Sequence, residues 1–146
     1  MSEVEIAKKV FERIESKDYD GARELLADEF EFSGAVPEPI GAEAWLSMQM
    51  KLGAAFPDWA FNLEDVRLDG DKVLCSSQIT CTHTGALDVP DMGVPLIPAT
   101  GKSISLPRES VELAFSGGKI ASIRTSASPG AGVAGMLSQL GVELPA

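Results

Sequence analysis

The hydrophobic period of this 146-residue chain changes once, at Trp59. Before it, apolar side chains recur every three to four residues, the period of a helix with one buried face. After it they alternate, the period of a strand whose two faces differ. Helices followed by consecutive strands define an α+β class, with helices packed on one face of an antiparallel sheet. A curved sheet covered in this way leaves a conical cavity, a natural place for a ligand. The length suits a single domain over residues 1–146.

The first helix is expected to open at Ser2, which has Glu5 at capping-box spacing. Ile6, Ala7, Val10, Phe11 and Ile14 form its apolar face. Asp20 is expected to cap a second helix running through Ala27. Phe30 and Phe32 alternate with Glu29 and Glu31 in a short strand. A third helix is read from about Gly41 to Ala55, and Pro57 stops it. Trp45, Met48, Leu52 and Phe56 share its face.

Strands are then expected over Trp59–Glu64, Lys72–Thr84, Ser103–Phe115 and Ile120–Ala127. Asp69-Gly70-Asp71 and Ser116-Gly117-Gly118-Lys119 are the hairpin turns. On the second of these strands Val73, Cys75, Ser77, Ile79, Cys81 and His83 share one face. Residues 85–101 form a long loop with three prolines and several apolar side chains, the pattern of a lid. A short helix over Val133–Leu140 closes the chain, ended by Gly141.

The net charge of −10 argues against nucleic acid, whose affinity rests on cationic side chains, and against an anionic membrane surface. The N-terminus is acidic and amphipathic, without the apolar core of a secretory signal, so a cytoplasmic place is expected. Cys75 and Cys81 lie in one expected strand. At about 3.3 Å per residue they would be roughly 20 Å apart, beyond the reach of a disulfide, and both read as buried thiols. One histidine and two such cysteines do not make a zinc site.

Several phrases resemble the SnoaL-like polyketide cyclase family of the nuclear transport factor 2-like superfamily. They are Ala55-Phe56-Pro57-Asp58-Trp59, Asp69-Gly70-Asp71-Lys72-Val73, Cys81-Thr82-His83-Thr84-Gly85, Ala99-Thr100-Gly101-Lys102, Gly117-Gly118-Lys119-Ile120 and the tail Gly135 to Gly141. The resemblance implies a cone-shaped fold, no metal or organic cofactor, and a homodimer packed through the outer sheet face. It also implies an acid/base Asp after the Gly-Lys-Ile turn. Here that place falls on Ser128 or Gly132, and no Asp, Glu or His occurs from Arg124 to Gly135.

Two functions follow as expectations. The first is a binding domain holding a small apolar molecule. The second is a cofactor-free enzyme of isomerase, cyclase or hydrolase type, acting on a small apolar carbonyl or epoxide compound through His83. His83 matches the family's Thr-His phrase and titrates near neutrality. Trp59, Trp45, Met92 at the lid tip and Ser126, a hydroxyl partner for His83, complete the candidate ligand-binding set. Arg108, Glu109 and Glu112 are assigned to a solvent or partner face. The alternatives are an Arg–Glu pair at the pocket rim, or Glu109 in place of the missing base.

Overall fold

The computed structural model describes residues 2–34, 38–88, 96–126 and 132–141. Helix α1 spans Glu3–Glu15, and the Ser2 hydroxyl accepts from the Glu5 N–H at 3.2 Å. The capping spacing in the sequence thus becomes the physical start of the helix. Helix α2 spans Tyr19–Glu24 and is capped by Asp18, whose carboxylate accepts from the Gly21 N–H at 3.0 Å. This corrects the expected cap at Asp20 and the expected end at Ala27. Leu26 and Ala27 belong instead to strand β1, Leu26–Ser33.

Strand β2, Ile40–Gly41, precedes α3, Ala42–Ala55. Strand β3 is Glu64–Asp69 and β4 is Lys72–Ser77, joined by a two-residue turn with Gly70 at φ 65°. The strand expected over Trp59–Glu64 does not form as a regular element. Asn62 and Asp65 take left-handed conformations, φ 49° and 55°, which interrupt an extended run. The Asn62 amide donates to the Gln78 carbonyl and the Thr80 hydroxyl, tying down the irregular segment.

The two long strands expected next each split. β4 ends at Ser77, and β5 is Thr80–Thr82. β6 is Ser103–Ser105, and β7, Glu109–Ser116, begins beyond Pro107. Proline has no N–H for a ladder, so the chain turns a corner there. β8, Lys119–Thr125, follows a Gly117-Gly118 turn with both residues at positive φ. The last helix, α4, spans Gly132–Gln139.

One sheet has the order β2-β1-β8-β7-β4-β3, and β5 and β6 form a second, two-stranded sheet. Pairing in the larger sheet is antiparallel except between β1 and β8. Two apolar clusters result. One packs α1, α2 and the start of α3 on the large sheet, with Trp45 against Phe30 and Phe32. The other joins the end of α3, the small sheet and α4 through Phe56, Leu106 and Met136. Met48, Trp59 and Ile79 touch both. No helix among the described residues is long and apolar enough to cross a membrane.

Candidate functional site

A cavity lies where the two clusters meet. Helix α3 supplies Met48, Gln49 and Leu52, one turn of its buried face. The segment after α3 supplies Trp59 and Phe61, the small sheet and its ends supply Ile79 and Leu106, and α4 supplies Met136. Glu109 and Thr125 come from the large sheet. The free volume is about 60 Å³. One water needs about 10–15 Å³ of such space, so the cavity as it stands takes roughly four to six heavy atoms.

Most of this wall is apolar; its polar members are Gln49, Glu109 and Thr125, and of these Glu109 alone is ionisable. Its residue is 4% exposed, and its Oε2 has no hydrogen-bond partner among the described residues. Burial pushes its carboxyl above the usual value, because the low-dielectric surroundings penalise the charged form. The cause lies in the strand phase. Ile104 and Leu106 are buried before Pro107, whereas Glu109, Val111 and Leu113 are buried after it. The corner at Pro107 shifts the alternation by one residue, and Glu109 enters on the inward face. Its assignment to a solvent face is therefore corrected. Arg108 and Glu112 do stand on the outer face, Arg108 against Glu64, Ser76 and Gln78, and Glu112 against Lys72.

Trp59 lines the cavity, packs on Phe56 and Phe61, and has no partner for its indole N–H among the described residues. Its backbone N–H donates to the Phe56 carbonyl at 3.0 Å. Next to it, Asp58 accepts from the Thr82 N–H and hydroxyl at 2.7 and 2.8 Å, which holds the turn after α3 against β5. Those bonds, the hydroxyl's first, lower the Asp58 pKa.

His83 is fully buried but is not among the residues lining this cavity. The Thr100 N–H donates to its Nδ1 at 3.2 Å, and the Thr100 hydroxyl lies 2.9 Å from the same atom. Nδ1 is thus the acceptor, which places the ring proton on Nε2. Nε2 has no partner among the described residues, and the ring packs on Phe56. Burial lowers the His83 pKa. No hydrogen bond or ion pair joins it to a carboxylate among the described residues.

The other expected residues are dispersed. Trp45 lies in the larger cluster against Phe30 and Phe32. Ser126 lines a separate, open groove of about 440 Å³ on the outer sheet face, with Arg67, Ser110 and Arg124, and its hydroxyl accepts from the Ser110 N–H. Met92 and Ser128 lie outside the described residues, while Gly132 is the first residue of α4. Cys75 and Cys81 are free and buried, their thiols pushed up to about 11 and about 12 by burial. Among the described residues no three His, Cys, Asp or Glu side chains are grouped for a metal ion.

Helices on one face of a curved, mainly antiparallel sheet place the protein in the cystatin-like α+β class shared with nuclear transport factor 2-like proteins. The chain belongs to the SnoaL-like polyketide cyclase family, whose model matches residues 5–127. Solved structures agree on the fold. A SnoaL-like polyketide cyclase from Agrobacterium tumefaciens matches with a TM-score of 0.67 at 18% identity, covering 96% of this chain and 99% of that one. IdmH from Streptomyces antibioticus, a candidate polyketide cyclase, matches with a TM-score of 0.68 at 26% identity, covering 94% and 97%. A hypothetical protein with a ketosteroid isomerase-like fold from Catenulispora acidiphila, solved with trimethylamine, matches with a TM-score of 0.68 at 14% identity, covering 95% and 94%. No curated protein matches the sequence.

Proposed function

We propose that this protein binds a small, mostly apolar compound in the cavity between α3 and the sheet, with Glu109 as the polar anchor. The observation that carries the reading is a buried carboxyl, without a partner on Oε2 among the described residues, in a mostly apolar wall whose other polar members are Gln49 and Thr125. A buried polar group left unpaired costs stability, and a ligand that pairs it recovers that cost. Glu109 takes this role in preference to His83, because His83 spends its accepting nitrogen on Thr100. The test is a thermal-shift screen of small apolar compounds on wild type and Trp59→Leu. Hits should raise the wild-type midpoint and lose that effect in the variant. Hits that stabilise both equally would place the ligand elsewhere.

The same carboxyl favours a second reading, a cofactor-free enzyme moving a proton on a small carbonyl or epoxide compound. A carboxyl with a raised pKa, shielded from water, is a competent general acid or base. A rate that follows one ionisation, and that falls at least about a hundredfold in Glu109→Gln while binding persists, would support this reading. Unchanged turnover in that variant would remove it.

A homodimer through the outer sheet face and a cytoplasmic place complete the proposal. The open groove on that face supports the dimer.

A further inference from the structure

Helix α4 is eight residues long, with Gly135 in its interior. A helix of that length, weakened further by glycine, does not persist in water alone. It holds its form only while docked. Met136, Leu137 and Leu140 are buried in the second cluster, and Met136 is part of the cavity wall. Two polar contacts fasten its C-terminal end beside the small sheet. The Gln139 amide donates to the Ser105 carbonyl at 3.1 Å, and the Lys102 ammonium donates to the Leu140 carbonyl at 3.5 Å.

Lys102 belongs to a short run of bonds that ends on His83. Its N–H donates to the Thr100 hydroxyl oxygen at 3.3 Å, and the Thr100 N–H donates to His83 Nδ1 at 3.2 Å. The Gly101 N–H also donates to the His83 carbonyl at 2.7 Å. An imidazolium carries a proton on Nδ1, which would meet the Thr100 N–H donor to donor. The ring is fully buried and its Nε2 has no partner among the described residues, so the charged form is poorly solvated in place. Opening the turn relieves both costs.

We infer that α4 is an acid-released cover over the cavity, latched by the Thr100–Lys102 turn while His83 is neutral. The inference rests on the reading that the cavity binds a small molecule, and adds how access to it is regulated. Few charged or titratable groups among the described residues surround the ring. Phe56 packs on it from the end of α3, and Asp58 beyond spends its carboxylate on Thr82. Cys81 on β5 stays a thiol, pushed up to about 12 by burial and then by Asp58. Lys102 on the turn opposes a second positive charge rather than stabilising it. Strand β6 and helix α4 bring no ionisable side chain.

The test needs no ligand. Amide exchange of the full chain, corrected for intrinsic rates, is followed at Leu140 and Gly141, whose N–H groups donate to the Met136 and Ser138 carbonyls. Between pH 7.5 and 4.5 these amides should lose at least about fivefold more protection than the β7–β8 ladder. Oxidation of Met136 by hydrogen peroxide should speed up by a similar factor as the cavity wall reaches solvent. His83 is the only histidine of the chain, so its ring resonance reports its protonation directly, and its midpoint should coincide with the loss at α4. Lys102→Met should lower α4 protection by about twofold to fivefold already at pH 7.5. His83→Asn should abolish the acid response, and intact protection of the β7–β8 ladder shows that this variant is folded. A His83 titration in the wild type that leaves α4 protected, an acid response that persists in folded His83→Asn, or unchanged α4 protection in Lys102→Met would overturn the latch. Each of these outcomes leaves the binding reading standing, since the compound screen on wild type and Trp59→Leu tests that reading separately.

Discussion

Glu109 is held in place by packing on its strand rather than by a counter-ion. Its inward direction follows from the pairing of β7 with β4, Ser77 opposite Glu109 and Cys75 opposite Val111. A folded-state pKa above the unfolded value means that its stability contribution is fully present below the unfolded pKa. That contribution is lost as pH rises through the folded pKa. At pH 8 the wild type therefore carries a cost that Glu109→Gln avoids. The variant should be more stable there by about 1–3 kcal/mol, and the advantage should vanish near pH 4. Denaturant melts at the two pH values measure this. Equal stability at pH 8 would mean that the carboxylate finds a partner when it ionises. The inward phase of Glu109 was legible in its alternation with Val111 and Leu113. What concealed it was the charged company of Arg108 and Glu112, which reads as a solvated edge until the corner at Pro107 is known.

At the scale of elements, local chemistry marked some boundaries and missed others. Ser2 capped the helix it was expected to cap, and the Asp69-Gly70 and Gly117-Gly118 turns lie where glycine permits positive φ. The second helix began two residues early, because either Asp18 or Asp20 satisfies the cap signal and only the folded chain selects one. The expected outcome is that Asp18→Ala costs about 1 kcal/mol, the usual loss for an N-cap, and that Asp20→Ala costs far less. Urea unfolding of the two variants checks it, and a larger loss at Asp20 would return the cap to that residue. The strand corners were harder to read. Asn62 and Asp65 adopt left-handed conformations that asparagine and aspartate tolerate, yet neither side chain announces that it will do so in a given chain. The parallel pairing of β1 with β8 joins residues about ninety positions apart, for example Phe32 with Ile123. Periodicity within either strand carries no information about that partner.

For the whole molecule, the cavity lies between two clusters that titrate in opposite senses. Glu109 faces the junction, and with its raised pKa it favours the fold as pH falls. His83 sits on the Phe56 side with a lowered pKa, so its neutral form is favoured in the fold. As pH falls through 6.5, the ordinary value for histidine, the unfolded chain takes the proton first, and stability drops until the folded ring is protonated as well. The ring must then protonate Nδ1, and the Thr100 N–H loses its acceptor. The two contributions run in opposite directions with pH, and the melting temperature records their sum. The net charge of −10 adds a broad gain on acidification, from relief of self-repulsion, which is nearly common to all variants. Differences between curves therefore isolate each group. His83→Asn offers a side-chain oxygen near the Nδ1 position without a titrating proton. It should lower the melting temperature through lost packing on Phe56 and also flatten the acid limb. Glu109→Gln should leave the His83 contribution intact and remove the fall in stability that accompanies ionisation of Glu109. Melting curves from pH 4.5 to 9 on wild type and the two variants measure this. An acid limb of unchanged steepness in His83→Asn would show that another group sets the lower edge of the stability range.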